Sequence, residues 1–355
     1  MRKNLFVLAD ASTEIGSGHI LRCLTLSQEL KNKFSKIIFL TSNSSKPILE
    51  NIKPISIEIM HISSLKNLKS ANYDDLSETI KKILLNYSED SNFLLIDHYD
   101  VDFNLESILK HLFSKIFVID DLANRKHECD LLIDYGYYND LENRYNKFVS
   151  KNTTKLLGPK YMIIRPEFRE KSKKIFQEKI KLKKILITFG SVDDTNECEK
   201  VLDALCSLTK NQFEIFVIAG SYNQNFLHLI QKFKKYDCIK IIQHVNDIEV
   251  LMSNCDLCFG AGGTTNLERF CIGLPSIVTI VADNQEEGVN FLSDLGHVIN
   301  MGLAKNVSAH NYAEIIQNLD TKLLYKMSQK NQKLVDGLGS KRIQDEIINL
   351  ISTTN

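Results

Sequence analysis

The sequence of 355 residues has no tryptophan, no net charge and no long apolar stretch. Its 44 Lys and Arg residues balance 44 Asp and Glu residues, so it lacks the basic surplus typical of a general nucleic-acid binder. No apolar run approaches the roughly 18 residues of a membrane span. Only a short apolar stretch precedes Asp10, which disfavours an export signal.

The eight cysteines are scattered and lack the dense spacing of a disulfide framework, which favours reduced thiols and a cytoplasmic location. Cys255 and Cys258 form a single CxxC, and we expect both to be buried on a strand. Hydrophobic residues make up 43% of the chain and charged residues 25%, an ordinary globular composition. At about 150 residues per domain, this length predicts two domains.

Short apolar runs recur along the chain, each followed by a turn and a helical pattern. They are rich in Ile, Val, Leu and Phe and alternate little, which is typical of parallel strands covered on both faces by helices. The runs are Leu5–Leu8, Ile37–Leu40, Phe93–Ile96, Ile116–Ile119, Leu131–Ile133, Ile185–Phe189, Phe213–Ile218, Ile239–Ile242, Leu257–Phe259 and Ile277–Val281. This order predicts an α/β fold with two Rossmann-like units.

A strongly charged segment without a strand pattern separates the two sets of runs. We interpret residues 166–183 as a linker with a solvated helix. The predicted domains are therefore an N-terminal Rossmann-like domain at 1–165 and a C-terminal one at 184–345. Residues 346–355 are expected to be a tail, at the end of an amphipathic helical region that begins near residue 309.

The first strand leads into a turn that contains Gly16 and Gly18, after which a helix is expected. The glycines let a ligand approach the backbone, and free N–H groups at the helix start suit an anion or a polar substrate. His19 falls in the first helical turn, at the carboxyl end of a strand, where active sites of open α/β sheets lie. It could be a neutral base, because the helix dipole disfavours imidazolium, or a capping histidine without chemistry.

A second glycine-rich turn follows the strand Leu257–Phe259. Gly262 and Gly263 open the backbone, and the hydroxyls and N–H groups of Thr264 and Thr265 suit a pyrophosphate. Glu268 lies one helical turn further on, where a carboxylate could bind ribose hydroxyls. An alternative of equal weight is a capping box, in which Glu268 bonds back to the start of the helix.

Two further turns in this half carry small polar residues. Residues 189–196 follow the first strand of the half and include Gly190, Asp193 and Asn196. Asn284 and Gln285 follow the strand Ile277–Val281, and their amides can both donate to and accept from sugar hydroxyls.

Asp120 and Asp121 end another strand and suggest a metal pair. No third ligand stands at a suitable spacing, so a capping role is the better interpretation. We expect no metal and no cofactor.

Ten short motifs occur in the order in which one family carries them. They are residues 16–23 (GSGHILRC), 96–99 (IDHY), 119–125 (IDDLANR), 127–132 (HECDLL), 157–161 (LGPKY), 165–168 (RPEF), 190–196 (GSVDDTN), 261–268 (AGGTTNLE), 273–275 (GLP) and 282–285 (ADNQ). Over roughly residues 5–300 the chain resembles the UDP-2,4-diacetamido-2,4,6-trideoxy-β-L-altropyranose hydrolases of pseudaminic acid biosynthesis.

The resemblance implies a fold similar to the GT-B glycosyltransferases, with two Rossmann-like domains whose parallel sheets face each other across a cleft. It also implies a metal-independent hydrolase, in which water attacks the anomeric carbon and releases UDP and free sugar. Such an enzyme would serve a nonulosonic acid pathway for surface glycans or flagellin.

The resemblance also assigns roles to residues. His19 would be the catalytic base or would position the water, with Tyr99 and Asn284 as further active-site groups. Residues that would bind the substrate are Asp10, Gly16, Gly18, Arg22, Gly190, Asp193, Asn196, Gly262, Gly263, Thr264, Thr265, Glu268 and Gln285.

Two other functions stay open from the sequence. A GT-B glycosyltransferase would pass the sugar from UDP to an acceptor hydroxyl, and a nucleotide-sugar binding protein would not turn it over. The expected partner is a UDP-sugar, without nucleic acid or membrane insertion, and a monomer is favoured.

Overall fold

The computed structural model describes residues 2–11, 18–46, 49, 57–172, 182–208 and 213–352, and the chain forms two compact units. The first unit runs to Gly136 and also takes in Asp140–Ile164 and the stretch that begins at Leu338. The second unit comprises Arg165–Gly337 together with Tyr137–Asn139.

The first unit contains a seven-stranded parallel sheet in the order β3-β2-β1-β4-β5-β6-β7. Its strands are β1 Lys3–Ala9, β2 Lys36–Thr41, β3 Glu58–His61, β4 Ser91–Asp97, β5 Lys115–Ile119, β6 Leu131–Asp134 and β7 Thr154–Leu157. Its helices include α1 Gly18–Leu30, α2 Tyr73–Leu84 and α3 Phe103–Leu109. The central strands are buried along almost their whole length, because helices cover the sheet.

The second unit contains a six-stranded parallel sheet in the order β10-β9-β8-β11-β12-β13. Its strands are β8 Lys184–Thr188, β9 Glu214–Ile218, β10 Ile239–Ile242, β11 Leu257–Ala261, β12 Ser276–Ile280 and β13 Ile299–Leu303. Its helices are α4 Pro166–Lys171, α5 Glu197–Leu208, α6 Phe226–Phe233, α7 Ile248–Asn254, α8 Thr265–Ile272, α9 Glu286–Asp294, α10 Ala309–Gln317 and α11 Thr321–Leu334.

Each sheet has a point at which the strand order reverses. In the first unit it lies between β1 and β4, and in the second between β8 and β11. Ligands of open α/β sheets bind outside the carboxyl ends of the strands at this point. The turns after β1, β4, β8 and β11 are therefore the positions at which a site is expected in each unit.

All ten predicted strands are present, and three further strands, β3, β7 and β13, were not predicted. Each of these three is an edge strand of its sheet. None has the continuous burial of the central strands, so none required a long apolar run. Both sulfurs of the CxxC are buried as predicted, with Cys258 on β11 and Cys255 just before it.

The C-terminal boundary differs from the predicted domain at 184–345 and tail at 346–355. The final helix α12, Gly339–Ser352, belongs to the first unit and packs against α1. Ile343, Ile347 and Ile351 form its buried face, and the Gln344 amide donates to the backbone carbonyl of Glu29. The sequence pattern identified an amphipathic helix but carried no information about which sheet its apolar face covers.

The predicted linker at 166–183 also differs in its described part. Helix α4 belongs to the second unit, where it packs against α7 and α8, and its Phe168 side chain is fully buried. A helix that buries a phenylalanine in this way is part of the domain and not a solvated connection. Among the described helices, none is both long enough and apolar enough to cross a membrane.

Candidate functional site

A histidine–aspartate pair lies at the switch point of the first sheet. Strands β1 and β4 are parallel neighbours that place Ala9 opposite Asp97, and α1 begins with Gly18 and His19. The Nδ1 atom of His19 lies 2.6 Å from Oδ1 of Asp97. The same Nδ1 atom also lies 3.1 Å from Nη2 of Arg22. The carboxylate is the nearer partner and accepts a proton, which favours the neutral tautomer with its hydrogen on Nδ1 and its lone pair on Nε2.

Arg22 fixes the carboxylate of this pair from the next turn of α1. Its guanidinium forks onto Asp97, with Nε donating to Oδ2 and Nη2 to Oδ1, and its Nη1 donates to Asp121 at 3.0 Å and to the Tyr135 hydroxyl at 2.7 Å. Burial by itself raises the pKa of Asp97, but the charge of Arg22 and the hydrogen bonds from Arg22 and His19 lower it to about 2. The carboxylate therefore stays ionised beside His19.

Tyr99 packs edge-on against His19, with ring centroids 4.5 Å apart. Its side chain is 37% exposed, and burial together with the hydrogen-bonded Asp121 raises the pKa of its phenol. The neighbouring His98 is buried instead, and its Nδ1 accepts the backbone N–H of Asp100 at 3.1 Å. Tyr99 is therefore a neutral hydroxyl at the rim of the pair.

Two further predicted site residues, Asp10 and Gly18, have different structural roles near the carboxyl end of β1. Asp10 is buried and accepts hydrogen bonds from the hydroxyls of Thr41, Ser42 and Ser45, at 3.2 and 2.8 Å for the first two, so its carboxylate organises the turns after β1 and β2. Gly18 is the first residue of α1, and a Cβ added to it would meet no described atom within 4 Å. Gly16 lies outside the described residues.

Asp120 belongs to a buried charged network next to this site. It accepts from Arg125 at 2.7 Å and from the Tyr145 hydroxyl at 2.9 Å. His127 lies between Glu106, at 2.7 Å, and Asp120, at 3.8 Å. Burial lowers the pKa of His127, but these two carboxylates outweigh it and raise the pKa to about 9. The described residues contain no group of three potential metal ligands, and Asp120 is held by cations of the protein.

The second unit has its glycine turn at the carboxyl end of β11. A side chain at Gly260 would collide with the guanidinium of Arg269, and one at Gly262 would collide with Val289. The Gln285 side-chain carbonyl accepts the backbone N–H of Gly262 and that of Val281, each at 3.2 Å. Gln285 therefore ties the turn after β12 to the glycine turn, while Asn284 beside it is exposed.

Backbone N–H groups lie free where α8 begins. Thr264 is the N-cap and makes no capping hydrogen bond with its side chain. Within the described residues, the N–H groups of Gly263, Thr264 and Thr265 have no backbone acceptor. The alternative of a capping box with Glu268 is therefore wrong. An anion can take these donors without displacing a protein group.

Glu268 is partly buried one turn into α8, and its carboxylate makes no hydrogen bond within the part of the chain that is described. Burial raises its pKa to about 7, although Arg165 and Arg269 lower it. A carboxylate that is desolvated without a donor is suited to ligand hydroxyls, which would supply the missing hydrogen bonds.

The turn after β8 is built around left-handed backbone at Gly190, Asp193 and Asn196, with φ of 94°, 54° and 56°. The Asp193 carboxylate accepts the first two backbone N–H groups of α5, at 2.9 and 3.1 Å, so it caps that helix. The Asn196 carbonyl accepts from the amide of Asn225. Both side chains are engaged by the protein, which leaves Gly190 as the open position of this turn.

Three partners of Arg22 are not among the predicted site residues: Asp97, Asp121 and Tyr135. Asp97 ends β4, Tyr135 directly follows β6, and Asp121 stands two residues after the end of β5. Their common position at the carboxyl edge, around the switch point, was the available signal.

Two parallel, doubly wound sheets of this kind define the GT-B fold class. The structure of Acinetobacter baumannii MurG is similar with a TM-score of 0.69 and 14% identity, covering 98% of this chain and 100% of that one. Arabidopsis thaliana UGT89C1, in its complex with UDP-L-rhamnose, is similar with a TM-score of 0.65 and 12% identity, covering 100% and 99%. At these identities the likeness concerns the fold alone.

A family model described as "Protein of unknown function (DUF354)" matches residues 152–339, more than half of the chain. The chain therefore belongs to this family.

Three relatives are similar in sequence. The spore coat polysaccharide biosynthesis protein SpsG of Bacillus subtilis is 25% identical over 95% of each chain. The UDP-2,4-diacetamido-2,4,6-trideoxy-β-L-altropyranose hydrolase of Campylobacter jejuni is 25% identical over 82% of this chain and 96% of its own. The uncharacterized protein MJ1062 of Methanocaldococcus jannaschii is 27% identical over 79% of this chain, a match that spans only 56% of MJ1062. The chain is thus a distant homologue of a nucleotide-sugar hydrolase.

Proposed function

We propose that the protein hydrolyses a UDP-linked 2,4-diacetamido-2,4,6-trideoxyhexose to UDP and the free sugar, as a step of nonulosonic acid biosynthesis. The observation that carries this proposal is the His19–Asp97 pair, in which a buried carboxylate holds Nδ1 of a buried histidine and so favours a lone pair on Nε2. A base of this kind activates water at neutral pH, which contributes about 10²–10⁴-fold to a rate.

The charged and polar groups of the two units support different roles for them in the proposed reaction. Around His19, the carboxylates of Asp97 and Asp121 are both bound to Arg22. A carboxylate next to the imidazole would stabilise the positive charge that develops on a sugar ring during cleavage. The second unit offers the reverse, with free N–H groups at the start of α8. We assign the sugar chemistry to the first unit and the UDP moiety to the second.

In the proposed reaction His19 Nε2 takes a proton from water while the water oxygen bonds to the anomeric carbon. The bond between that carbon and the β-phosphate oxygen breaks, and its electron pair leaves with UDP. Asp97 stabilises the imidazolium that forms. N–H donors of Gly263, Thr264 and Thr265 would stabilise the charge on the leaving diphosphate.

The remaining predicted residues take supporting roles in this proposal. The Tyr99 hydroxyl and the Asn284 amide would hold the sugar, and Glu268 would accept hydrogen bonds from the ribose hydroxyls. The two similar proteins of known name support the sugar class, since one is a hydrolase of this UDP-sugar and the other serves spore coat polysaccharide synthesis. Eight free cysteines are in keeping with a cytoplasmic location.

The test is a proton NMR assay of the anomeric signals. The purified protein is incubated with EDTA and UDP-2,4-diacetamido-2,4,6-trideoxy-β-L-altropyranose. We expect free sugar and UDP to appear, and His19→Asn to abolish both. The matched control is His111→Asn, because His111 is exposed and is not one of the proposed site residues.

Two outcomes would overturn the proposal. Release of UDP only after an acceptor is added would identify a glycosyltransferase. Measurable UDP binding with an intact sugar, unchanged in His19→Asn, would identify a binding protein without turnover.

A further inference from the structure

A buried arginine lies directly beneath the glycine turn of the second unit. Arg269 is fully buried, and its Nη2 donates to the backbone carbonyl of Ala261 at 2.7 Å and to the Asn266 side-chain carbonyl at 2.9 Å. Its Nη1 lies 3.7 Å from the Cys258 sulfur. Gly260 must lack a side chain because the guanidinium occupies that space.

The guanidinium of Arg269 makes no ion pair among the described residues: no carboxylate oxygen there lies within 4.0 Å of it, and its Nε has no hydrogen-bond partner. Its charge does act on the neighbouring Glu268 and lowers the pKa of that carboxyl, but burial raises the same pKa to about 7, so Glu268 is only partly ionised at neutral pH. Other buried or half-buried arginines of the chain are paired: Arg22 with Asp97, Arg125 with Asp120, and Arg144 with Asp134.

An uncompensated buried charge is costly to a folded protein. Neutral partners recover part of the lost hydration, but they do not cancel the charge. An anion at the glycine turn would cancel it, and the free N–H groups of Gly263, Thr264 and Thr265 lie at this same turn.

We propose that Arg269 is a positioning residue and the buried counter-charge for the diphosphate of the nucleotide. This inference rests on the proposed function of the turn as a UDP site. The guanidinium does not touch the phosphates: it holds the Ala261 carbonyl and the Asn266 side chain, which shapes the turn. The guanidinium lies against the backbone at Gly260, and the electric field of its positive charge adds to that of the helix dipole.

The inference predicts a dependence on ligand charge that a purely structural role would not produce. Calorimetry with uridine, UMP and UDP measures this directly, because the three probes differ only in phosphate. For Arg269→Gln we expect the Kd of UDP to rise on the order of thirtyfold and that of uridine by less than about threefold. Arg269→Lys keeps the charge and should recover most of the loss for UDP.

A second pair of variants keeps Arg269 itself in place. Cys258→Asp puts a carboxylate beside Nη1 and neutralises the guanidinium, whereas Cys258→Ser is the matched neutral control. We expect Cys258→Asp to weaken the binding of UDP and to leave the binding of uridine nearly unchanged. Cys258→Ser should alter the binding of neither ligand. These variants test the charge even if Arg269→Gln does not fold.

Each contrary outcome has a distinct meaning. If the variants weaken the binding of uridine and of UDP by the same factor, or leave the binding of UDP unchanged, Arg269 is not the counter-charge of the diphosphate. If the wild-type protein binds neither uridine nor UDP, the proposed nucleotide site itself is wrong.

Discussion

Replacing Asp97 with asparagine should lower both the free energy of unfolding and the turnover, by amounts that follow from the contacts of Asp97 in the first unit. Asp97 is fully buried, pairs with Arg22 and holds the Nδ1 proton of His19. Asparagine keeps the shape and removes the charge. Its amide can also donate to His19 Nδ1, which would move the imidazole proton to Nε2 and remove the base.

The expected loss of stability follows from the lowered pKa of Asp97. The pKa falls from an ordinary 3.8 to about 2, which corresponds to about 2 kcal/mol of folding free energy. Because the folded pKa is the lower one, this stabilisation is present above about pH 4 and is lost as the pH falls through about 2. At pH 7 the variant lacks it and leaves Arg22 partly unpaired, so we expect a total loss of about 2–4 kcal/mol.

Urea denaturation at pH 7 measures this loss, and the NMR assay measures turnover. We expect Asp97→Asn to lower kcat by about 10²–10⁴-fold, because the base is in the wrong tautomer. The matched control is Asp75→Asn on the exposed face of α2, for which a change below about 0.5 kcal/mol is expected. A loss under about 1 kcal/mol with near-normal turnover would refute the role given to Asp97.

Three further predictions concern the buried network and the glycine turn. The raised pKa of His127, about 9, means that its charge stabilises the fold below pH 6.5 and that this effect is lost as the pH rises through 9. In urea titrations between pH 6.5 and 10, the free energy of unfolding of the wild type should therefore fall by about 3 kcal/mol more than that of His127→Gln. If the two proteins gave parallel plots of this free energy against pH, the prediction would be contradicted. The carboxyl of Glu268, with a pKa near 7, should make uridine binding tighten from pH 6 to 8, and calorimetry should find no such trend in Glu268→Gln. Gly260→Ala should cost about 1–3 kcal/mol in thermal unfolding by forcing Arg269 aside, whereas Gly288→Ala, with open space around it, should cost nothing.

The parts of the fold that could be predicted from the sequence are those in which burial requires a recognisable run of apolar residues. Central strands are covered on both faces and therefore need continuous apolar runs, and nine of the ten predicted runs are such strands. The tenth, β10, is an edge strand that carries an apolar run without continuous burial. The edge strands β3, β7 and β13 are only half-covered and carry polar residues, so no such run marks them. The placement of α12 in the first unit depends on the surface that its isoleucines meet, which no local pattern encodes.

The candidate site was predictable in part for the same kind of reason. His19 and Glu268 lie in the first turns of the helices that follow β1 and β11, and topology alone marks the starts of such helices as sites. Asp97 and Asp121 could not be paired with Arg22 beforehand, since they lie 75 and 99 residues away along the chain. The sequence predicts Asp193 as a substrate-binding residue, and in the structure its carboxylate caps α5; a cap and a ligand position favour the same small polar residues, so the sequence does not distinguish them.

Turnover in ¹⁸O-labelled water tests the proposed reaction most directly. If water attacks the anomeric carbon, as the His19 geometry predicts, the label enters the free sugar and the released UDP stays unlabelled in mass spectra. His19→Asn should release no UDP in the same time. Labelled UDP would show attack at phosphorus, and undiminished release by His19→Asn would show that another group activates the water; either result would contradict the mechanism.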